Sequence, residues 1–263
     1  MGVTRVRIAQ AIVRAPAPNL AAGIASAVGG GDPDVAAALQ QHERYCETLR
    51  NCGLQLRRLA ADATHPDSTF IEDTAVLTAE AAIITRPGAP SRMGETAAAR
   101  ELLRGIFPTV GEIKEPGTVD GGDVCEVDGD FFIGVSGRTN AEGARQLAAL
   151  LRELGHNSVT VDIRASKSLL HLKTGLSYLG DGVFVVSRDV VLDVALKDYD
   201  LIKVEPAESY AANCIRVNDH VLIAAGYPLL LATLEARGYR VATLAMSEFR
   251  KMDGGLSCLS LRF

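Results

Sequence analysis

The constraint that bears hardest on this chain is a motif that recurs five times: a polar residue, a short alternating strand, a turn, a second apolar strand and a polar loop. It appears at residues 72–86 (EDTAVLTAEAAIITR), 122–138 (GDVCEVDGDFFIGVSGR), 171–188 (HLKTGLSYLGDGVFVVSR) and 213–229 (NCIRVNDHVLIAAGYPL). It begins again at 255–263 (GLSCLSLRF), where the chain ends before a second strand. The Asp-Gly-Asp of the second copy and the Asn-Asp of the fourth are hairpin residues. Marked at Asp73, Asp123, Lys173, Asn213 and Cys258, the copies lie about 40 to 50 residues apart, the period of repeat and propeller architectures.

Residues 3–13 (VTRVRIAQAIV) can supply the strand that the fifth copy lacks, so the two ends of the chain would close a ring. Helical patterns fill the gaps between copies. Residues 33–52 place Val35, Leu39, Tyr45, Cys46 and Leu49 near one face, with Asp32 as N-cap and Gly53 just past the C-terminal end. Similar patterns fit 95–106, 140–154 and 228–237. A closed ring leaves no exposed sheet edge and gathers five loop-proximal strand ends around one axis. The expectation is one α/β domain over residues 1–263; the competing arrangement is an ordinary α+β sheet in which the similarities are accidental.

Composition narrows the function. A hydrophobic content of 48%, a charged content of 22% and a mean hydropathy of +0.14 are those of a globular protein. The net charge of -5, with Lys and Arg spread along the chain, offers no basic stripe for nucleic acid. No apolar run approaches the roughly 18 residues of a membrane span, and Met1 to Arg14 lacks the apolar centre of a signal peptide, so a cytoplasmic location is expected. The 5 cysteines form no C-x-x-C pair and read as free thiols. No Cys/His cluster has metal-binding spacing, so no metal is expected.

If the copies surround an axis, the polar residues at equivalent positions converge at its mouth: Asp73, Asp120 or Asp123, His171, Asn213 or Cys214, and Cys258. A thiol beside an imidazole can be held as a thiolate nucleophile. Carboxylates suit a cationic, planar partner such as a guanidinium. Cys46 and Cys52 read as helix core, Cys125 as a strand residue, and Cys214 competes with Cys258. His42, His156 and His220 read as solvated, His65 lies in a loop, and His171 starts a strand at a repeat position. Gly29-Gly30-Gly31 and Gly121-Gly122 match no nucleotide fingerprint.

Seven ordered motifs then carry a resemblance over nearly the whole chain. They are Pro66-Asp67-Ser68 with Phe70-Ile71-Glu72-Asp73; Arg86-Pro87-Gly88 with Ser91-Arg92-Met93-Gly94-Glu95; and Gly117-Thr118-Val119-Asp120-Gly121-Gly122-Asp123. Arg138-Thr139-Asn140, His171-Leu172-Lys173, Glu208-Ser209-Tyr210-Ala211-Ala212-Asn213-Cys214 and Met252-Asp253-Gly254-Gly255-Leu256-Ser257-Cys258 complete the set. The chain resembles the dimethylarginine dimethylaminohydrolases, within the guanidine-modifying enzymes that share a five-bladed, pseudo-fivefold β/α propeller.

The resemblance implies Cys258 as nucleophile, His171 as general acid/base and Asp120 as the group orienting the imidazole, where some members carry Glu. It implies that Asp67, Glu72 and Asp73 hold the guanidinium or the substrate's amino end, that Arg92 and Arg138 grip the α-carboxylate, and that groups near Ile24, Met252 and Asp253 complete the pocket. Residues 15–31 would be a mobile lid. The implied reaction is hydrolysis of Nω-methylated arginines to citrulline and methylamine or dimethylamine through a covalent thiouronium, with no metal or organic cofactor. The only implied partner is the small-molecule substrate; the oligomeric state stays open, a homodimer included. An arginine deiminase releasing ammonia is the nearest rival, although the lysine of His171-Leu172-Lys173 argues against it. A non-catalytic binder of arginine-like cations is the rival of another class.

Overall fold

The computed structural model describes residues 7–26, 30–166, 168–188, 190 and 195–263. Residues 3–6 of the expected closing strand, 27–29 of the expected lid and Gly29 of the glycine run lie outside the described residues.

Each of the five copies is a three-stranded sheet whose first two strands are antiparallel and whose third runs parallel to the second. Two of the five are built from β3 (Ala75–Leu77), β4 (Ala81–Ile84) and β5 (Thr109–Glu112), and from β6 (Val124–Val127), β7 (Asp130–Val135) and β8 (Ser158–Asp162). Two more use β9 (Leu176–Gly180), β10 (Val183–Ser187) and β11 (Asp200–Val204), then β12 (Ile215–Val217), β13 (His220–Ala224) and β14 (Arg240–Leu244). The remaining sheet joins the two ends of the chain: β15 (Leu261–Arg262) pairs antiparallel with β1 (Gln10–Arg14), and β1 pairs parallel with β2 (Gln55–Leu59). The expected closure is present, with β1 beginning at Gln10 rather than at residue 3.

Burial explains the strand roles. The middle strands β4, β7, β10 and β13 are nearly continuous apolar runs because both faces are covered. The third strands β2, β5, β8 and β14 are half exposed at the rim. Among the described residues the core divides into five clusters, each shared by two neighbouring blades. One joins Ile12 and Leu261 to Ala82 and Ile84; another joins Ala11 and Tyr45 to Ile215 and Leu222. Every blade therefore buries its faces against its neighbours, which makes the ring a five-bladed β/α propeller.

The crossover helices are α1 (Val35–Asn51), α2 (Thr96–Arg104), α3 (Ala141–Glu153) and α5 (Pro228–Ala236); single turns form α4 (Leu172–Gly175) and α6 (Ser247–Arg250). Three details depart from expectation. The N-cap of α1 is Asp34, whose carboxylate accepts from the amides of Ala36 and Ala37, and not Asp32. The buried stripe of α1 is Ala38, His42, Tyr45, Cys46 and Leu49, so His42 is core and Leu39 is exposed. His171 does not start a strand but caps α4, one turn ahead of β9. No helix among the described residues is long and apolar enough to cross a membrane.

Candidate active site

The polar residue that marks each copy sits in or beside a short helical segment that feeds the blade's first strand: Ile71–Thr74, Gly121–Asp123, α4, Pro206–Ala212 and Ser257–Leu259. These turns pack against one another at one end of the axis. Glycines permit the approach. A Cβ on Gly121 would stand 2.0 Å from the carbonyl oxygen of Glu72, and one on Gly122 would stand 2.9 Å from His171 Nδ1 and 3.0 Å from Asp73 Oδ1.

His171 is enclosed by carboxylates. Its Nε2 lies 2.9 Å from Asp120 Oδ2, while Asp120 Oδ1 accepts from the amide of Gly88 at 2.7 Å. Burial alone would drive the proton off the imidazole; the charges of Asp73 and Asp123 and the Asp120 hydrogen bond outweigh it and lift the pKa to about 9. Asp73 is the complement. Burial favours its neutral form, but the facing His171 and the Arg92 guanidinium hold the carboxyl down at about 2. Arg92 donates to Asp73 Oδ2 at 2.6 Å, and Gly122 N donates to Oδ1 at 2.8 Å.

The ligand atoms of Asp73, Asp120 and His171 lie within 4.8 Å of one another, close enough in principle for a cation. All four of the carboxylate oxygens already accept a donor, and Arg92 occupies the charge position a metal would take. The cluster favours the charged form of the imidazole it encloses.

Cys258 stands on the facing turn, partly exposed. Burial and the charges of Glu72 and Asp73 push its thiol up to about 12, against a weak amide contact from Gly255 at 3.5 Å. The neighbouring Ser257 donates its hydroxyl to Glu72 Oε2 at 2.8 Å, and Lys173 Nζ donates to Glu72 Oε1 at 2.6 Å. Asn213 closes this circuit: its Nδ2 donates to Ser257 Oγ at 3.1 Å and to the Lys173 carbonyl at 2.9 Å, and its Oδ1 accepts from Ser257 N at 3.0 Å.

Cys258 and His171 line both of two adjoining cavities. The larger, about 530 Å³, is bordered by Asn213, Tyr210 and Arg250. The smaller gathers Ile24, Asp67, Asp73, Arg92 and Arg138 under Met252 and Asp253. Nine of the residues singled out from the sequence therefore meet at one place. Asp120 lies fully buried behind His171, and Glu72 opens instead on a third cavity along the axis, of about 220 Å³.

Several of these side chains are engaged within the protein. Arg92 binds Glu95 through Nε and Nη2, and its Nη2 also reaches the Phe70 carbonyl at 3.1 Å. The Asp67 carboxylate accepts the amide of Ile24 at 3.0 and 3.1 Å. Asp253, in the left-handed region at φ 56, accepts the amide of Ser26 at 2.6 Å and its hydroxyl at 2.7 Å. The guanidinium of Arg138 has no hydrogen bond or ion pair among the described residues. The expected lid is thus tied down at residues 24 and 26, and its first half is core, with Ala17 and Leu20 fully buried. Ser257, Glu95 and Gly88 lie in the motifs quoted above but were given no role there; adjacency to Cys258 and the Arg92-x-x-Glu95 spacing are the signals that point to the first two.

The arginine deiminase family model matches residues 64–224. An N(G),N(G)-dimethylarginine dimethylaminohydrolase from Pseudomonas aeruginosa is 44% identical over 96% of this chain and 98% of its own length. The chain belongs to the dimethylarginine dimethylaminohydrolase family. A Streptomyces coelicolor member is 36% identical over 96% of both chains. The solved dimethylarginine dimethylaminohydrolase from Pseudomonas aeruginosa, a cysteine-to-serine variant complexed with citrulline, superposes with a TM-score of 0.94 at 43% identity, covering 98% of this chain and all of that one. The N-terminal domain of a cyanobacterial arginine dihydrolase, 19% identical, shares the fold at a TM-score of 0.87 over 98% of this chain and 97% of that one.

Proposed function

We propose that the protein hydrolyses Nω-methylated arginines to citrulline and the corresponding methylamine. The observation that carries this reading is the placement of Cys258 and a protonated, Asp120-bound His171 on one cavity, beside a carboxylate cluster fit for a guanidinium. Each oxygen of Asp73 has one partner in the protein and a further lone pair for the substrate. Arg138 and the remaining Nη1 N–H of Arg92 serve the α-carboxylate, while Arg92 also fixes Asp73 and holds Glu95. Asp67 and the Ile24 backbone flank the amino end, with Met252 and Asp253 as roof. Glu72 acts from behind, through Lys173 and Ser257.

The chemistry follows. A bound guanidinium stabilises the Cys258 thiolate beside it, and Sγ attacks the central carbon. With Nε2 committed to Asp120, His171 gives a proton from Nδ1 to the departing amine and becomes neutral. Water then attacks the thiouronium, His171 takes its proton, and the second tetrahedral adduct expels the thiolate to leave citrulline. The hydroxyl proton left on the second adduct passes to the free amine or to solvent as the carbonyl forms.

The same reading takes residues 1–263 as one catalytic domain, because no blade buries its faces without its neighbours. Five free cysteines fit a reducing cytoplasm. All site residues come from one chain, so a homodimer is compatible but not required. The test is citrulline formation from asymmetric dimethylarginine, monomethylarginine and arginine, with Cys258→Ser as control. Turnover of the methylated substrates, abolished in the variant, is expected; preference for arginine would make the protein a deiminase, and binding without citrulline a receptor for arginine-like cations.

A further inference from the structure

The thiol of Cys258 must lose its proton before it can attack, and the structure constrains where that proton goes. His171 is poorly placed to take it: its Nε2 is bound to Asp120, and the charges of Asp73 and Asp123 favour the already charged imidazole. A substrate in the small cavity under Ile24, Met252 and Asp253 covers the sulfur on that side. The Ser257 hydroxyl lies 3.9 Å from Sγ, within hydrogen-bond reach of it.

The hydrogen-bond polarity around that hydroxyl is fixed. Asn213 Oδ1 accepts from Ser257 N, so Asn213 Nδ2 is a donor and Ser257 Oγ accepts from it. The Ser257 proton therefore points at Glu72 Oε2, 2.8 Å away. Of the two lone pairs on Oγ one is taken by Asn213, and the other is left for the Cys258 S–H. Beyond Glu72 lies the axial cavity of about 220 Å³, on the far side from the substrate; Ser257 and Lys173 border both this cavity and the larger catalytic one, and so form the partition between them.

We propose that Ser257 and Glu72 relay the Cys258 proton away from the substrate and out through the axial cavity. The S–H bond breaks with its electron pair staying on sulfur, the proton joins Ser257 Oγ, the hydroxyl's own proton passes to Glu72 Oε2, and Glu72 releases it to water in the axial cavity. Lys173 donates to Oε1 at 2.6 Å and holds the carboxylate with Oε2 turned to Ser257. The relay rests on the hydrolase reading above, but its test does not use turnover.

The experiment mixes the protein with an amidine analogue of arginine, a cation in which a methyl group replaces the leaving amine, and follows the ultraviolet absorbance of the thiolate by stopped flow. The wild type is expected to show a rise that slows in deuterium oxide. Ser257→Ala and Glu72→Gln should slow it roughly 10²-fold near neutral pH, with the deficit shrinking as hydroxide takes over at high pH; Ser257→Thr, which keeps the hydroxyl, should behave as wild type. An unchanged rate in Ser257→Ala, a deficit equal at every pH, or no rise in the wild type would each overturn the relay. If Ser257→Ala does not fold, Glu72→Gln alone decides. Citrulline formation by the wild type, measured in parallel, judges the hydrolase reading separately.

Discussion

Among the described residues two cysteine–histidine pairs stand out, and they could hardly be more different in charge. On α1, Cys46 Sγ lies 3.7 Å from His42 Nδ1, both buried in the core. At the axis, Cys258 and His171 share the catalytic cavities. The thiols behave alike: burial pushes Cys46 up to about 11, and burial with the charges of Glu72 and Asp73 pushes Cys258 up to about 12. The imidazoles diverge. Burial and the nearby Arg58 drive His42 down to about 4, whereas three aspartates lift the equally buried His171 to about 9. Proximity of a thiol and an imidazole does not make a reactive site; the carboxylates assembled around the imidazole do.

The largest test of this contrast replaces each histidine by glutamine. His171→Gln should lower kcat roughly 10²- to 10⁴-fold, whereas His42→Gln should leave kcat unchanged and cost stability. The pH dependence of folding should separate them too. His171 has a folded pKa above its free value of 6.5, so its contribution is complete below that pH and is lost as pH rises through about 9. His42 has a folded pKa below 6.5, so its contribution is complete above that pH and is lost as pH falls through about 4. Urea midpoints across pH should flatten on the alkaline flank for His171→Gln and on the acid flank for His42→Gln; flattening on the same flank would break the comparison.

A smaller intervention moves one pair toward the other. Asp120→Asn keeps an acceptor for the Gly88 amide but removes the charge that helps hold the proton on His171. The expected result is a loss of about 10²-fold in kcat and an alkaline limb of the pH–rate profile displaced to lower pH. An unmoved limb would assign that limb to another group.

The same contrast shows what a linear chain reveals. The fivefold plan was legible because each blade must hide two apolar faces and turn tightly between them, and Asp128-Gly129, both at positive φ, and Asn218 are the turns expected. The His171 and Cys258 positions were legible as repeat positions, which the fold brings to one cavity. His42 was misread because its immediate neighbours are polar; the spacing 38, 42, 45, 46, 49 would have placed it in the core. Two Asp residues flank Pro33, and only the backbone decides that the second caps α1. The Glu72–Ser257 bond joins residues 185 apart, and Asp73 finds Arg92 across 19. No local spacing encodes such pairs, so the Arg92–Asp73 bond and the part of Ser257 went unread for the same reason.

The smallest expected effect lies at the rim, where water competes with every contact. Asp253 holds Ser26 through an amide and a hydroxyl bond, and both residues border the larger cavity. Ser26→Ala removes the hydroxyl bond alone. An exposed neutral-to-charged hydrogen bond contributes about 1 kcal/mol, so closure over a bound ligand should weaken by roughly fivefold. That loss should appear as a raised KM with kcat within a factor of about two, because the Ile24 amide still binds Asp67 and no catalytic proton passes through Ser26. Steady-state kinetics decide it. An equal fall in kcat would mean that closure over residues 24 to 26 positions the reacting atoms themselves, making the rim as much a part of the carboxylate cage as Asp120.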